Sequence, residues 1–299
     1  MSSPSKDQVT VVLPTLNEEE AVGLVIDELR SEGYGNILVV DGYSTDKTVE
    51  IAKEKGVNVI SQHGKGKAGA VKSAVDHIGT TYMLVMDADH TYDPKDIERM
   101  LNHISDHDEV IGSRRDRHHI PKLHRIGNWI ISTTLSLLTG HGISDPCSGM
   151  YMLRTESVRN LELTSGSFDI EVEIAAQLVS LGNVTEVPIT YRRRVGNRKL
   201  ESWRGGLRIL STVFKVAWLY NPIFLVSAMT ALFLVPGSAI LLWQFYLRLI
   251  FGARMWSLGW SWLGLVLLIV GAQGLSASTI VLLLKRMERR IIRVAREKA

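Results

Sequence analysis

The chain of 299 residues carries a single cysteine, Cys147, so an intramolecular disulfide is excluded and a reducing compartment fits. Charge imbalance is slight, a formal +3 at neutral pH. The surplus comes from arginine clusters and a basic tail, which suits phosphate ligands or an anionic membrane surface and argues against a nucleic-acid partner. A leader peptide is not expected, because residues 1–8 are polar and the next apolar run contains Pro14. Between Ile223 and Leu284 acidic residues are missing altogether, and Arg248 and Arg254 are the only bases. Such a composition suits a bilayer and excludes an ordinary soluble surface.

Two apolar stretches, 223–251 and 258–284, each exceed the about 20 helical residues that cross a hydrocarbon core. The turn between them, Gly252-Ala253-Arg254-Met255-Trp256, is too short for a domain, so the pair reads as a helical hairpin with both ends on one side. Its basic sequel, Lys285-Arg286-Met287-Glu288-Arg289-Arg290, places the tail and the N-terminal region in the cytoplasm by the positive-inside bias. The expected organisation is a cytoplasmic catalytic domain over 1–200, an amphipathic juxtamembrane helix over 201–222, the hairpin over 223–284 and a basic tail over 285–299. The protein is thus expected in the cell membrane as a multi-pass chain.

The first hundred residues alternate short β-branched runs with helical patterns. Strands are expected at 9–13, 36–40, 57–61 and 82–86, with helices at 19–31, 46–55 and 68–77 between them. That order predicts an α/β fold with a mostly parallel, Rossmann-like sheet whose ligands sit at the strands' carboxyl ends. Beyond it lie a helix after Pro94, a short strand near Val110, a helix over about 125–138, a strand over 184–190 and an amphipathic helix over 202–220.

Polar clusters follow the strands. Asp87 and Asp89 are two apart at a strand end, so in extended backbone both carboxylates face one side across the small Ala88. That spacing suits Mg2+ or Mn2+, which would bridge a diphosphate and act as Lewis acid; the plain alternative is a turn before Pro94. Asp41 ends the second strand, where it can accept hydrogen bonds from a nucleobase, while Ser44-Thr45-Asp46 suffices as a helix cap. Gly64-Lys65-Gly66-Lys67-Ala68-Gly69 has G-x-G-x-x-G spacing but follows the third strand, so it is no dinucleotide fingerprint, and Ala70-Val71 excludes a P-loop. Lys65 and Lys67 either face phosphates or form a solvated turn. The basic groups Arg114, Arg115, Arg117 and Arg125, and Arg192, Arg193, Arg194, Arg198 and Lys199, are natural phosphate binders. The second group also suits anionic lipid.

Taken in order, Leu13-Pro14-Thr15-Leu16-Asn17-Glu18, the Asp41 loop, Gly64-Lys65-Gly66-Lys67, Asp87-Ala88-Asp89, Gly112-Ser113-Arg114, Asp145-Pro146-Cys147-Ser148-Gly149-Met150 and Arg194-Val195-Gly196 with Lys199-Leu200 resemble GT-A family 2 glycosyltransferases. The branch resembled is the polyprenyl-phosphate one, the dolichyl-phosphate mannose and glucose synthases. The resemblance implies that Pro14, Leu16, Glu18 and Asp41 hold the nucleoside, with Lys67 and Ala88 also on the donor side. It implies Asp87 and Asp89 at ribose and metal, and Arg114, Arg125, Ser148, Arg194 and Lys199 at the donor and acceptor phosphates, with Asp89, Arg114 and Arg125 the catalytic set. Phe168-Asp169-Ile170-Glu171 falls where relatives place an acidic helix start near the sugar. Many relatives have a second aspartate at Gly42, an aromatic at Leu16 and a glutamine metal ligand at Thr91, so His90, Thr91 or water is left for the third metal position. The Asp-Gly-x-Ser-Thr-Asp and Asp-x-Thr-Tyr variants resemble archaeal N-glycosylation enzymes, which tilts the donor towards UDP-glucose or UDP-N-acetylglucosamine over GDP-mannose.

The expected reaction is an inverting transfer to dolichyl or polyprenyl phosphate, giving a β-linked lipid sugar for protein glycosylation. Two rivals stand beside it. A processive polysaccharide synthase would carry a Q/R-x-x-R-W motif and more spans, whereas here Arg204 follows Trp203. A silent adaptor binding sugar nucleotide or lipid would not need Asp87, Asp89 and Arg114 together. Oligomeric state, including a homo-oligomer, is left open by the sequence.

Overall fold

The structure, a computed structural model, describes residues 4–115, 122–139, 142–161, 163, 170–179, 183–196 and 222–296. Lys199, Phe168, Asp169 and the expected 202–220 helix lie outside the described residues. The chain divides into two compact units, Met1–Val213 and Phe214–Ala299.

The first unit is built on one seven-stranded sheet: β1 (Val9–Thr15), β2 (Ile37–Asp41), β3 (Asn58–Ser61), β4 (Tyr82–Met86), β5 (Glu109–Arg114), β6 (Met150–Arg154) and β7 (Val184–Ile189). Its order is β3-β2-β1-β4-β6-β5-β7, parallel throughout except for β6, which runs antiparallel to both neighbours. Side chains alternate faces along a strand, and the core follows that period. Val9, Val11 and Leu13 of β1 belong to one apolar cluster, Val12 to the other.

The helices α1 (Val22–Ser31), α2 (Thr48–Glu54) and α4 (Asp96–Ile104) cover the first face, while α3 (Gly66–His77), α6 (Thr155–Arg159) and α7 (Ile170–Val179) cover the second. Helix α1 buries Val22, Val25, Ile26 and Leu29, and α4 buries Ile97, Met100, Leu101 and Ile104, each a single apolar stripe at helical spacing. Helix α5 spans Lys122–Thr139.

The N-terminal half follows expectation closely, and β4 does so residue for residue. Strand β6 was not foreseen, nor were α6 and α7. Because β6 is reversed, its first residue pairs with the last of β4, Met150 with Met86. The loop before β6 is thereby delivered to the edge where the parallel strands end.

The second unit is a pair of helices, Pro222–Phe251 and Leu258–Arg296, containing the candidate membrane spans Val226–Phe251 and Leu258–Leu284. Only 11% and 6% of these spans is buried, so they are not core helices of a globular unit. Their seam is made of glycines. A Cβ at Gly271 would lie 2.8 Å from Leu234 Cα, one at Gly237 2.7 Å from Leu268 N, and one at Gly274 2.3 Å from Thr230 Oγ1. Close backbone approach through small residues is how helices associate where hydrophobicity cannot drive them together.

Candidate active site

The loops leaving β1 and β2 are laced together by side chains that begin helices α1 and α2. Asn17 NH donates to Ser44 Oγ at 2.9 Å, Thr45 NH to Asn17 Oδ1 at 2.7 Å, and Glu18 NH to Thr48 Oγ1 at 2.7 Å. Asn17 takes φ 52° and Tyr43 φ 67° to do this, conformations uncommon outside glycine. Asp41 is buried and accepts from Ser44 NH at 3.0 Å. Burial raises the Asp46 carboxyl, but hydrogen bonds from the Thr48 hydroxyl and backbone outweigh it and hold the group below its ordinary range. Leu16 and Tyr43 stay exposed beside this frame.

The loop leaving β4 carries the two aspartates. Ala88 between them packs into the core, and Asp87 and Asp89 turn away from it. Asp87 Oδ1 sits 2.6 Å from Lys67 Nζ, and a Cβ at residue 149 would lie 2.0 Å from its Oδ2, so Gly149 is the only residue type that leaves room for this carboxylate. Asp89 is buried; its Oδ1 accepts from the Thr91 hydroxyl and amide, and its Oδ2 from Arg194 at 2.8 Å. Burial and then repulsion from Asp87 push the Asp89 carboxyl above its ordinary range, against the pull of Thr91 and Arg194. Thr91 therefore meets Asp89 with its hydroxyl, and the His90 ring reaches Glu28 at 3.0 Å.

The segment after β7 crosses this loop. Arg192 NH donates to Thr91 O at 2.7 Å and Val195 NH to Asp89 O at 3.1 Å. The Arg194 guanidinium spans two acids, reaching Glu18 at 2.6 Å as well as Asp89, while its Nε is buried with no hydrogen-bond partner among the described residues. The Arg192 guanidinium binds Glu28 at 2.9 Å and Asp93 at 2.6 Å.

On the β5–β6 side, Arg114 pairs with the fully buried Asp145: Nε donates to Oδ2 at 2.7 Å and Nη2 to Oδ1 at 2.6 Å. Asn128 of α5 donates to the same carboxylate at 2.8 Å. Ser148 is buried near the Met150 backbone, whereas Arg125, one turn before Asn128, is exposed.

The structure thus gathers Glu18, Lys67, Asp87, Asp89, Thr91 and Arg194 into one polar network and puts Pro14, Leu16 and Asp41 on the same sheet edge. Lys67 turns inward to carboxylates. Four residues that the sequence analysis gave no role complete the arrangement. Gly149 clears space for Asp87, Asp145 holds Arg114, Asn128 supports Asp145, and Tyr92 accepts from Gly149 NH at 2.7 Å. Only Asp145 and Gly149 lay in a recognised motif.

A mixed sheet with acids and bases at the carboxyl end of its central strands defines a nucleotide-sugar transferase. The chain belongs to the family "Glycosyl transferase family 2", whose profile matches residues 10–162. The glycosyltransferase AglJ of Haloferax volcanii is 38% identical over 229 residues, 74% of this chain and 76% of that protein. A dolichyl-phosphate hexose transferase of the same organism is 33% identical over 222 residues, 72% of this chain and 96% of that protein. Glucosyl-3-phosphoglycerate synthase from Mycobacterium tuberculosis, solved with Mn2+, UDP and glucosyl-3-phosphoglycerate, superposes with a TM-score of 0.57 at 20% identity, over 70% of this chain and 79% of that one. That likeness establishes the GT-A fold.

The donor set was compared with what a divalent cation needs. Among the described residues no three histidine, cysteine or acidic side chains converge on one point. Mg2+ is usually held by one or two carboxylates plus substrate phosphates and water, which Asp87 and Asp89 can satisfy. Arg194 between Glu18 and Asp89 shows that the place accepts positive charge. The residues fit such an ion.

Proposed function

We propose that this glycosyltransferase moves a hexose from a nucleotide diphosphate sugar, a UDP-sugar in preference to GDP-mannose, onto the phosphate of dolichol or a related polyprenol. The observation that carries this reading is the Glu18–Arg194–Asp89 bridge beside the Lys67–Asp87 pair, a site of alternating charge at the sheet edge. A diphosphate with its cation is the ligand whose charges complement it. The dolichyl-phosphate relative and the apolar helix pair support a lipid acceptor. They also support a membrane protein whose catalytic unit and tail face the cytoplasm.

Mg2+ or Mn2+ held by Asp87 and Asp89 would stabilise the departing diphosphate as a Lewis acid. Thr91 orients Asp89 for that task. The acceptor phosphate ionises a second time near pH 6, so its attacking oxygen is largely deprotonated at neutral pH and no general base is required. Arg194, with its buried Nε lacking a partner, and the exposed Arg125 are the cations suited to aim that phosphate, with Lys199 and Ser148 beside them in sequence motifs. Arg114 contributes charge from a position fixed by Asp145. Catalysis is then alignment plus electrostatics. Single displacement predicts inversion and a β-linked product.

Membranes bearing the chain, incubated with labelled UDP- and GDP-sugars and dolichyl phosphate, should yield a chelator-sensitive lipid product that Asp89→Asn abolishes. Product that survives both chelation and the substitution would refute the metal assignment; polymer instead of lipid monosaccharide would favour a synthase.

A further inference from the structure

We propose that Glu171 is a positioning residue for the transfer reaction, acting through Lys67 to orient Asp87 and to keep that carboxylate anionic toward the donor. The proposal rests on the reading of Asp87 as a donor-side carboxylate. Lys67 Nζ lies 2.6 Å from Asp87 Oδ1 and 2.5 Å from Glu171 Oε1, and its side chain is only 8% exposed. Glu171 opens helix α7 and is itself buried, as is Tyr151, whose ring lies 5.8 Å from the same ammonium. Gly149 bounds the other oxygen of Asp87, so the carboxylate is fixed from two sides.

The count of charges gives Glu171 its task. A buried lysine facing Asp87 alone would cancel it and leave a neutral pair with little attraction for a cation. Two carboxylates sharing one ammonium leave a net negative charge, and Asp87, the more exposed of the two, presents it to the open edge. A merely structural contact would need only shape and a hydrogen bond, both of which glutamine supplies.

The test therefore compares Glu171→Gln with wild type in the full chain in detergent, reading Mn2+ binding by electron paramagnetic resonance in the presence of UDP, alongside donor KM and kcat. The expected result is an about tenfold weaker Mn2+–UDP complex, the size that one charge several ångströms away exerts at an effective dielectric between protein and water. Donor KM should rise in step while kcat changes less. The double variant Lys67→Met/Glu171→Gln removes both charges and should return Mn2+ affinity to within about threefold of wild type, while kcat falls because Asp87 has lost its anchor. Wild-type Mn2+ affinity and KM in Glu171→Gln would overturn the proposal. If that variant does not fold, the double variant decides: unrestored Mn2+ affinity overturns it too. Should Asp87→Asn and Asp89→Asn leave Mn2+–UDP binding untouched, the functional reading itself fails, whatever Glu171 does.

Discussion

The two flanks of the sheet's ligand edge use arginine in opposite ways. On the β5–β6 flank, Arg114 is almost wholly enclosed and meets a fully buried Asp145 through two parallel hydrogen bonds, with Asn128 behind. On the β1–β4 flank, Arg194 is a quarter exposed and divides its guanidinium between Glu18 and Asp89, leaving Nε unpaired. The first arrangement has its geometry closed; the second can exchange partners. Resemblance alone assigns both arginines to phosphate, and burial separates them.

The largest expected effect breaks the closed flank. Asp145→Ala strands the Arg114 charge in the interior and should cost about 3–5 kcal/mol, read by denaturant unfolding. A smaller effect is expected where the flanks meet. Gly149→Ala adds a methyl that collides with Asp87 and should cost about 1–3 kcal/mol, as overpacking does, together with loss of nucleotide binding by calorimetry.

On the open flank Arg194→Ala should change stability by about 1 kcal/mol or less, since the bridge is partly solvated. Its sharper signature is ligand linkage. With Glu18 and Asp89 no longer neutralised, Mn2+ should raise the melting temperature more in the variant than in wild type, while transfer to dolichyl phosphate falls.

The smallest effect has the opposite sign. Glu109 is buried in β5 with Oε2 unpartnered among the described residues; burial, then Glu171 and Glu186, push its carboxyl well above the ordinary 4.5. The folded state therefore holds this proton at pH values where the unfolded chain has released it. Its contribution is full below 4.5 and is lost as pH rises toward the folded value. Glu109→Gln should flatten that slope and raise the neutral-pH melting temperature slightly, measured by scanning calorimetry across pH.

The flanks also differ in how legible they were. Strands β1 to β4 could be read because β-branched runs alternate with helical stripes, and each polar cluster falls after a strand. Strand β6, Met-Tyr-Met-Leu-Arg, has no β-branched residue and no turn signal that marks a reversal, so a strand at the centre of the sheet passed unseen. Helix α7 is buried along nearly its whole length, which erases the amphipathic stripe. Asp145 and Arg114 are 31 residues apart, and their pairing depends on the antiparallel turn of β6. The inward turn of Lys67 is a matter of side-chain direction, set by Asp87 and Glu171 through packing. The acidic pair, Glu18 and Arg194 were legible as residues with a role; that Arg194 bridges the other two was not.

The glycine seam of the helix pair has a consequence for how substitutions will be tolerated there. On a water-soluble helix the outward face is permissive to polar residues and the inward face to none. Along 226–284 the outward face would refuse charge because it meets lipid tails, and the inward face would refuse bulk because Gly237, Gly264, Gly271 and Gly274 are in backbone contact. Serine in place of alanine at a lipid-facing turn should pass, while alanine in place of Gly271 should wedge the two helices apart.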